Sequence, residues 1–165
     1  MNAPQTRDLV ITRIFDSPVE WVWKAWTEPE RVMQWWGPHH FTSPRAEMDV
    51  REGGTSIVCM RAPKECGGQD IYNTWVYTKI VPMQSLEFIQ NLSDKHGNKT
   101  DPVKLGMPPD FPVDQRNLVT FKAVDHNKTE VTVTEYGWTV GQMLPLAETG
   151  LNQCLDKMAA SLAKT

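Results

Sequence analysis

The sequence predicts an α+β domain in which one long C-terminal helix packs on an antiparallel sheet. Three observations carry that prediction. From Pro44 to Tyr136 the chain reads mainly as short strands joined by short turns, the pattern of antiparallel meanders and not of βαβ units. Leu144, Ala147, Leu151, Leu155, Met158 and Leu162 then recur at steps of three and four, one face of a helix. At 165 residues the chain is about one domain long, so residues 1–165 are read as a single unit with its own core.

The first element is a strand over Asp8–Phe15, where Leu9, Ile11, Arg13 and Phe15 alternate with Val10, Thr12 and Ile14. Ser17-Pro18-Val19-Glu20 reads as a capping box with proline at the first helical position. Val19, Val22, Trp23 and Trp26 share the apolar face of the helix that follows. Thr27-Glu28-Pro29-Glu30 repeats the start signal for a second short helix carrying Val32, Met33, Trp35 and Trp36, and Gly37-Pro38 ends it.

Strand patterns follow around Met48 and Val50, then over Thr55–Ala62, Ile71–Val81 and Ser85–Asn91, and finally in a hairpin of Asn117–Val124 with Thr129–Tyr136. Ser93–Gln115 breaks this rhythm with Pro102, Pro108, Pro109 and Pro112. Such a long loop inside a domain is uncommon and usually functional or disordered, and this one also carries the apolar Leu105, Met107 and Phe111. In the last helix, Gly150 costs helix stability and predicts a close backbone approach.

Bulk properties exclude several function classes. A net charge of −3 with both signs interspersed offers no basic face for nucleic acid. No stretch reaches the length of a membrane span, so no membrane partner is expected. The polar stretch Met1–Asp8 lacks the apolar core of a signal peptide, and three cysteines, an odd and sparse set, fit free thiols in a reducing compartment. A cytoplasmic protein is expected. No cofactor is implied, and a weak homodimer is left open.

The chain resembles the helix-grip fold of the START-like (SRPBCC) superfamily, typified by the major birch-pollen allergen. Within it, Arg13–Pro18, Val22–Thr27 with Pro29-Glu30, Trp35-Trp36-Gly37-Pro38, Asp49–Gly54, and the tail from Gly150-Leu151 to Leu155–Met158 together resemble short bacterial homologues of the activator of the heat-shock protein ninety ATPase. The resemblance implies a curved sheet of six or seven antiparallel strands around the terminal helix, two short helices after the first strand, and a cavity between helix and sheet. Many members have Gly-Trp where this chain has Gly150-Leu151, a swap that changes cavity shape. The family's chaperone-partner activity belongs to larger proteins with an extra N-terminal domain.

Among candidate reactive groups, the adjacent His39 and His40 have no Cys, Asp or Glu at ligand spacing and read as loop residues. Cys59 and Cys66 flank a turn but lack zinc-knuckle spacing, and Cys154 reads as a small buried apolar residue. Arg61 and Glu135 could pair inside the sheet and orient a polar ligand end. The simpler expectation puts both in water near strand ends.

The aromatic content is the most informative feature. Seven Trp exceed what a small core needs, and a helix only ~10 Å wide cannot cover the whole inner face of a wrapped sheet. The expectation is therefore an apolar cavity that binds a small apolar or amphipathic molecule. Its expected wall comprises Trp35, Trp36, Met60, Trp75, Tyr77, Phe88, Phe121, Glu135, Leu151 and Leu155, with Leu105, Met107 and Phe111 from a lid over Ser93–Gln115. The alternatives are an enzyme of cyclase or hydrolase type using the same cavity, though no nucleophile–base pair is legible, and a stress-related chaperone partner.

Overall fold

The computed structural model describes residues 4–164. Residues 1–3, part of the polar N-terminal stretch, and residue 165 lie outside the described residues. The elements run β1 (Thr6–Phe15), α1 (Val19–Thr27), α2 (Pro29–Val32), β2 (Thr42–Glu47), β3 (Thr55–Arg61), β4 (Asp70–Val81), β5 (Ser85–Ser93), β6 (Gln115–Asp125), β7 (Lys128–Thr139) and α3 (Met143–Leu162). Among the described residues, seven strands form one antiparallel sheet in the order β1-β7-β6-β5-β4-β3-β2. The curved sheet grips α3, which is the helix-grip architecture.

The strand register explains the core. On the inner face, Leu9 stands opposite Glu135, Glu135 opposite Asn117, Asn117 opposite Phe88, and Phe88 opposite Tyr77. The adjoining row joins Ile11, Val133, Val119 and Leu86. All four are buried, because side-chain direction alternates with period two and this parity faces α3. On the outer face of β1, Val10 and Ile14 are exposed.

Three local readings need correction. Helix α1 starts at Val19 with Pro18 in the cap position, where no side-chain hydrogen bond forms, so the expected Ser17 capping box is not made. Ser17 is instead buried, and its carbonyl accepts a hydrogen bond from the Thr129 hydroxyl at 2.8 Å. Helix α2 is also shorter than predicted. It ends at Val32, and Trp35 and Trp36 follow in a turn whose amides both donate to the Val32 carbonyl. Residues 48–50 lie beyond the end of β2 and form no strand.

The Trp-Trp-Gly-Pro turn has a steric basis. Gly37 has φ +104°, and a Cβ there would come within 3.0 Å of the Phe41 Cβ and 3.3 Å of the Met60 Cβ. A larger residue would be strained and would push the turn away from β3.

Candidate ligand cavity

A cavity of about 280 Å³ lies between the N-terminal half of α3 and one end of the sheet. Five structural contributions shape it. Strand β3 supplies Met60, β4 supplies Ile71 and Asn73, and β5 supplies Gln90 and Leu92. The turn after α2 supplies Trp36 and Pro38. Helix α3 supplies Met143, Leu146, Ala147, Gly150, Leu151 and Cys154, and the 94–114 loop supplies Met107 and Phe111.

The last contribution comes from the end of β7, where the alternation of side chains breaks. Glu135 pairs with Leu9 and Trp138 with Arg7, so two β7 residues oppose the single β1 residue Asp8. This is a bulge. Gly137 sits in it at φ +74°, and its amide donates to the Asp8 carboxylate at 3.0 Å. Strict alternation would send Glu135 and Trp138 to opposite faces. The bulge turns both into the cavity. There the Trp138 indole N–H donates to Glu135 Oε1 at 3.0 Å, and the Trp138 ring meets Phe111 edge-on with centroids 5.8 Å apart.

The electrostatics are dominated by Glu135. Enclosure among apolar side chains pushes its carboxyl up to about 7, only partly opposed by the Trp138 hydrogen bond. Among the described residues, no Lys, Arg or His lines the cavity. Burial likewise pushes the Cys154 thiol up to about 11, so it is a neutral wall group. Asn73 and Gln90 add polar atoms, with Gln90 Oε1 accepting from the Trp75 indole at 2.8 Å.

The expected wall residues divide into three sets. Trp36, Met60, Met107, Phe111, Glu135 and Leu151 line the cavity. Trp35, Trp75, Tyr77, Phe88, Phe121 and Leu155 are buried in the core and do not line it. Trp35 donates its indole N–H to the Ala25 carbonyl at 2.7 Å, fixing it beneath α1. Trp75 stacks on Phe88 at 5.0 Å, Phe121 meets Trp23 at 5.2 Å, and the Tyr77 hydroxyl pairs with that of Ser56 at 2.8 Å. Leu105 sits on a 3-10 turn over Pro102–Leu105 and is 48% exposed.

Arg61 and Glu135 do not pair. Arg61 lies on the outside in a bidentate bridge to Asp70, at 2.7 and 3.0 Å, because its β3 parity faces away from α3. The expectation of water around both thus holds for Arg61 and fails for Glu135. His39 is an exposed loop residue 3.9 Å from Asp156, and Cys59, Cys66 and Cys154 are free thiols. Among the described residues, no cluster of three or more His, Cys, Asp or Glu is placed to hold a metal ion.

Trp138 is absent from the sequence-derived wall. The signal that could have found it was Gly137 directly after Tyr136, since an isolated glycine inside a strand marks a bulge. Gly150 is the opposite case. A Cβ built on it meets nothing within 4 Å, so it marks open space and not the close approach expected from sequence.

The family comparison agrees with this architecture. The family model for Activator of Hsp90 ATPase homolog 1-like protein matches residues 16–163. The chain belongs to that family. Among solved structures, a protein from Arthrobacter aurescens superposes with TM-score 0.76 at 24% identity, covering 96% of this chain and 87% of that one. A protein from Staphylococcus epidermidis gives TM-score 0.75 at 22% identity, over 98% and 93% of the two chains. The AHSA1 protein from Silicibacter pomeroyi gives 0.71 at 20% identity, over 95% and 98%. These likenesses show a shared helix-grip fold. No curated protein matches the sequence. No helix among the described residues is long and apolar enough to cross a membrane.

Proposed function

We propose that this AHSA1-family domain binds a small apolar or amphipathic molecule between α3 and the sheet. The observation that carries the reading is the cavity itself. Its walls are mainly apolar, and its few polar groups, Glu135, Asn73 and Gln90, come from sheet strands. Ligand sites are typically apolar concavities with a few placed polar groups, and 280 Å³ stands near their lower size limit of ~300 Å³. The ligand is therefore small.

The 94–114 loop is the lid in this reading. Met107 and Phe111 reach the cavity, while Asp114 ties the loop's end to Lys99 at 2.9 Å and to Asn91 at 3.0 Å. Native mass spectrometry of protein purified from its own host tests the proposal. The expected result is an additional mass lost on denaturation. An unliganded mass, together with no uptake of an apolar fluorescent probe, would overturn it.

One observation favours a second reading, an enzyme using the same cavity. A carboxyl held at about 7 in an apolar site can both take and give a proton near neutral pH. Under that reading the co-purified molecule changes mass on incubation with the native protein but not with Glu135→Gln.

A further inference from the structure

Among the described residues, the cavity is lined by one carboxyl and no cationic side chain. Several charged groups on the elements around it are engaged elsewhere, and others, Lys104, Asp110 and Glu148 among them, are exposed. On β1, Arg13 donates to Asn152 and Asp156 of α3, Arg7 is exposed, and Asp8 accepts from Gly137. On β6, Arg116 bridges to Glu87 and lies over the Tyr136 ring, and the residue opposite Glu135 is the neutral Asn117. On α3, the Lys157 ammonium donates to the carbonyls of Gly37 and Phe41 at 2.9 and 3.1 Å, and Cys154 is neutral. Among the described residues, Glu135 thus has a neutral indole as its hydrogen-bond partner and no counter-ion.

We propose that the cavity selects an organic cation, a small apolar body carrying an ammonium group, with Glu135 as the counter-ion and Trp36, Phe111 and Trp138 as an aromatic surround. The inference rests on the ligand-binding reading of the cavity and names the ligand's charge. An anion would meet a carboxylate with no cation to offset it. A neutral apolar ligand would leave Glu135 either protonated or charged and unpaired, which low-dielectric surroundings penalise. An ammonium supplies the missing partner, and indole and phenyl rings attract cations through their negative faces. The three methionines of the wall, Met60, Met107 and Met143, add an adaptable apolar surface for the body of the molecule.

Calorimetric titration of the full chain with 4-phenylbutylamine, 4-phenylbutan-1-ol and 4-phenylbutanoate tests this. At pH 8 the amine is expected to bind at least about tenfold more tightly than the alcohol, with the carboxylate weakest. The amine's lead falls about tenfold by pH 6, because Glu135 takes up a proton over that interval while the ammonium stays charged. Glu135→Gln removes the lead. If that variant does not fold, the pH comparison on the native protein still decides. Equal affinity for amine and alcohol at pH 8, or a lead unchanged at pH 6, overturns the charge assignment and leaves the cavity reading standing. Failure of all three probes to bind overturns both.

Discussion

The two ends of the space between α3 and the sheet are built from similar side chains, yet one end is filled and the other hollow. At the filled end Trp26, Trp35, Trp75 and Phe88 form a continuous ring cluster, with Trp26 and Trp35 4.7 Å apart and Trp26 and Trp75 6.1 Å apart. Leu155, Met158 and Leu162 close α3 over buried apolar residues. At the hollow end α3 presents Gly150 and Ala147, the loop brings only Met107 and Phe111, and a bulge introduces a carboxyl. Trp36 stands at the boundary, edge-on to Trp75 at 5.2 Å and lining the cavity. Aromatic residues here mostly fill space. The hollow arises where the helix offers small residues and the strand departs from regular alternation.

The largest expected effect sharpens that contrast. Trp75→Ala removes a fully buried indole from the filled end and is expected to cost about 3–5 kcal/mol, read as a lower denaturation midpoint. Phe111→Ala at the hollow end removes a partly buried ring from a cavity wall and is expected to cost about 1 kcal/mol or less while weakening ligand uptake. Equal losses in chemical denaturation would mean that the two ends are packed alike.

Next in size is the pH dependence of stability set by Glu135. Its folded carboxyl is raised to about 7 from an ordinary value of 4.5. Between those values the folded state holds a proton that the unfolded state has released, so stability falls as pH rises through the window. Above pH 7 the penalty is complete, on the order of 3 kcal/mol. Glu135→Gln keeps an acceptor for Trp138 and carries no charge. It is therefore expected to be more stable than the native chain at pH 8 and to lose that advantage at pH 4.5. A variant destabilised equally at both pH values would show that the carboxyl is better solvated than its surroundings indicate.

The sequence makes the filled end easy to read and the hollow end hard. Amphipathic periodicity finds the α3 stripe, and alternation finds Val119, Phe121, Val131 and Val133, because all are local and obey fixed periods. The family resemblance adds the strand count and the wrap of the sheet. Which aromatics fill and which line is a tertiary matter. Trp35 and Trp36 are adjacent, yet one is sealed under α1 and the other faces the cavity. Glu135 and Trp138 converge only through the bulge at Gly137, which shifts side-chain parity by one residue.

A smaller effect tests that bulge. Gly137→Ala places a Cβ at φ +74°, a conformation that costs an L-residue about 1 kcal/mol. Nothing lies within 4 Å of the added atom, so the cost is conformational and not steric. Near-ultraviolet circular dichroism is expected to change through reorientation of Trp138. An unchanged spectrum with unchanged stability would mean that the bulge does not depend on glycine.

The smallest effect is the most diagnostic of hollowness. Gly150 lies within α3, where glycine costs roughly 0.5–1 kcal/mol relative to alanine. At a tightly packed helix face, Gly150→Ala would lose more through a clash than it gains in propensity. Here the added methyl meets open space, so the variant is expected to gain about 0.5 kcal/mol and to raise the thermal midpoint by about 1–2 °C. The methyl also projects into the cavity wall, so the same variant is expected to take up a bulky apolar probe slightly less well. A loss of stability would mean that the N-terminal half of α3 sits closer to the loop or the sheet than the cavity allows, and the contrast between the two ends would disappear.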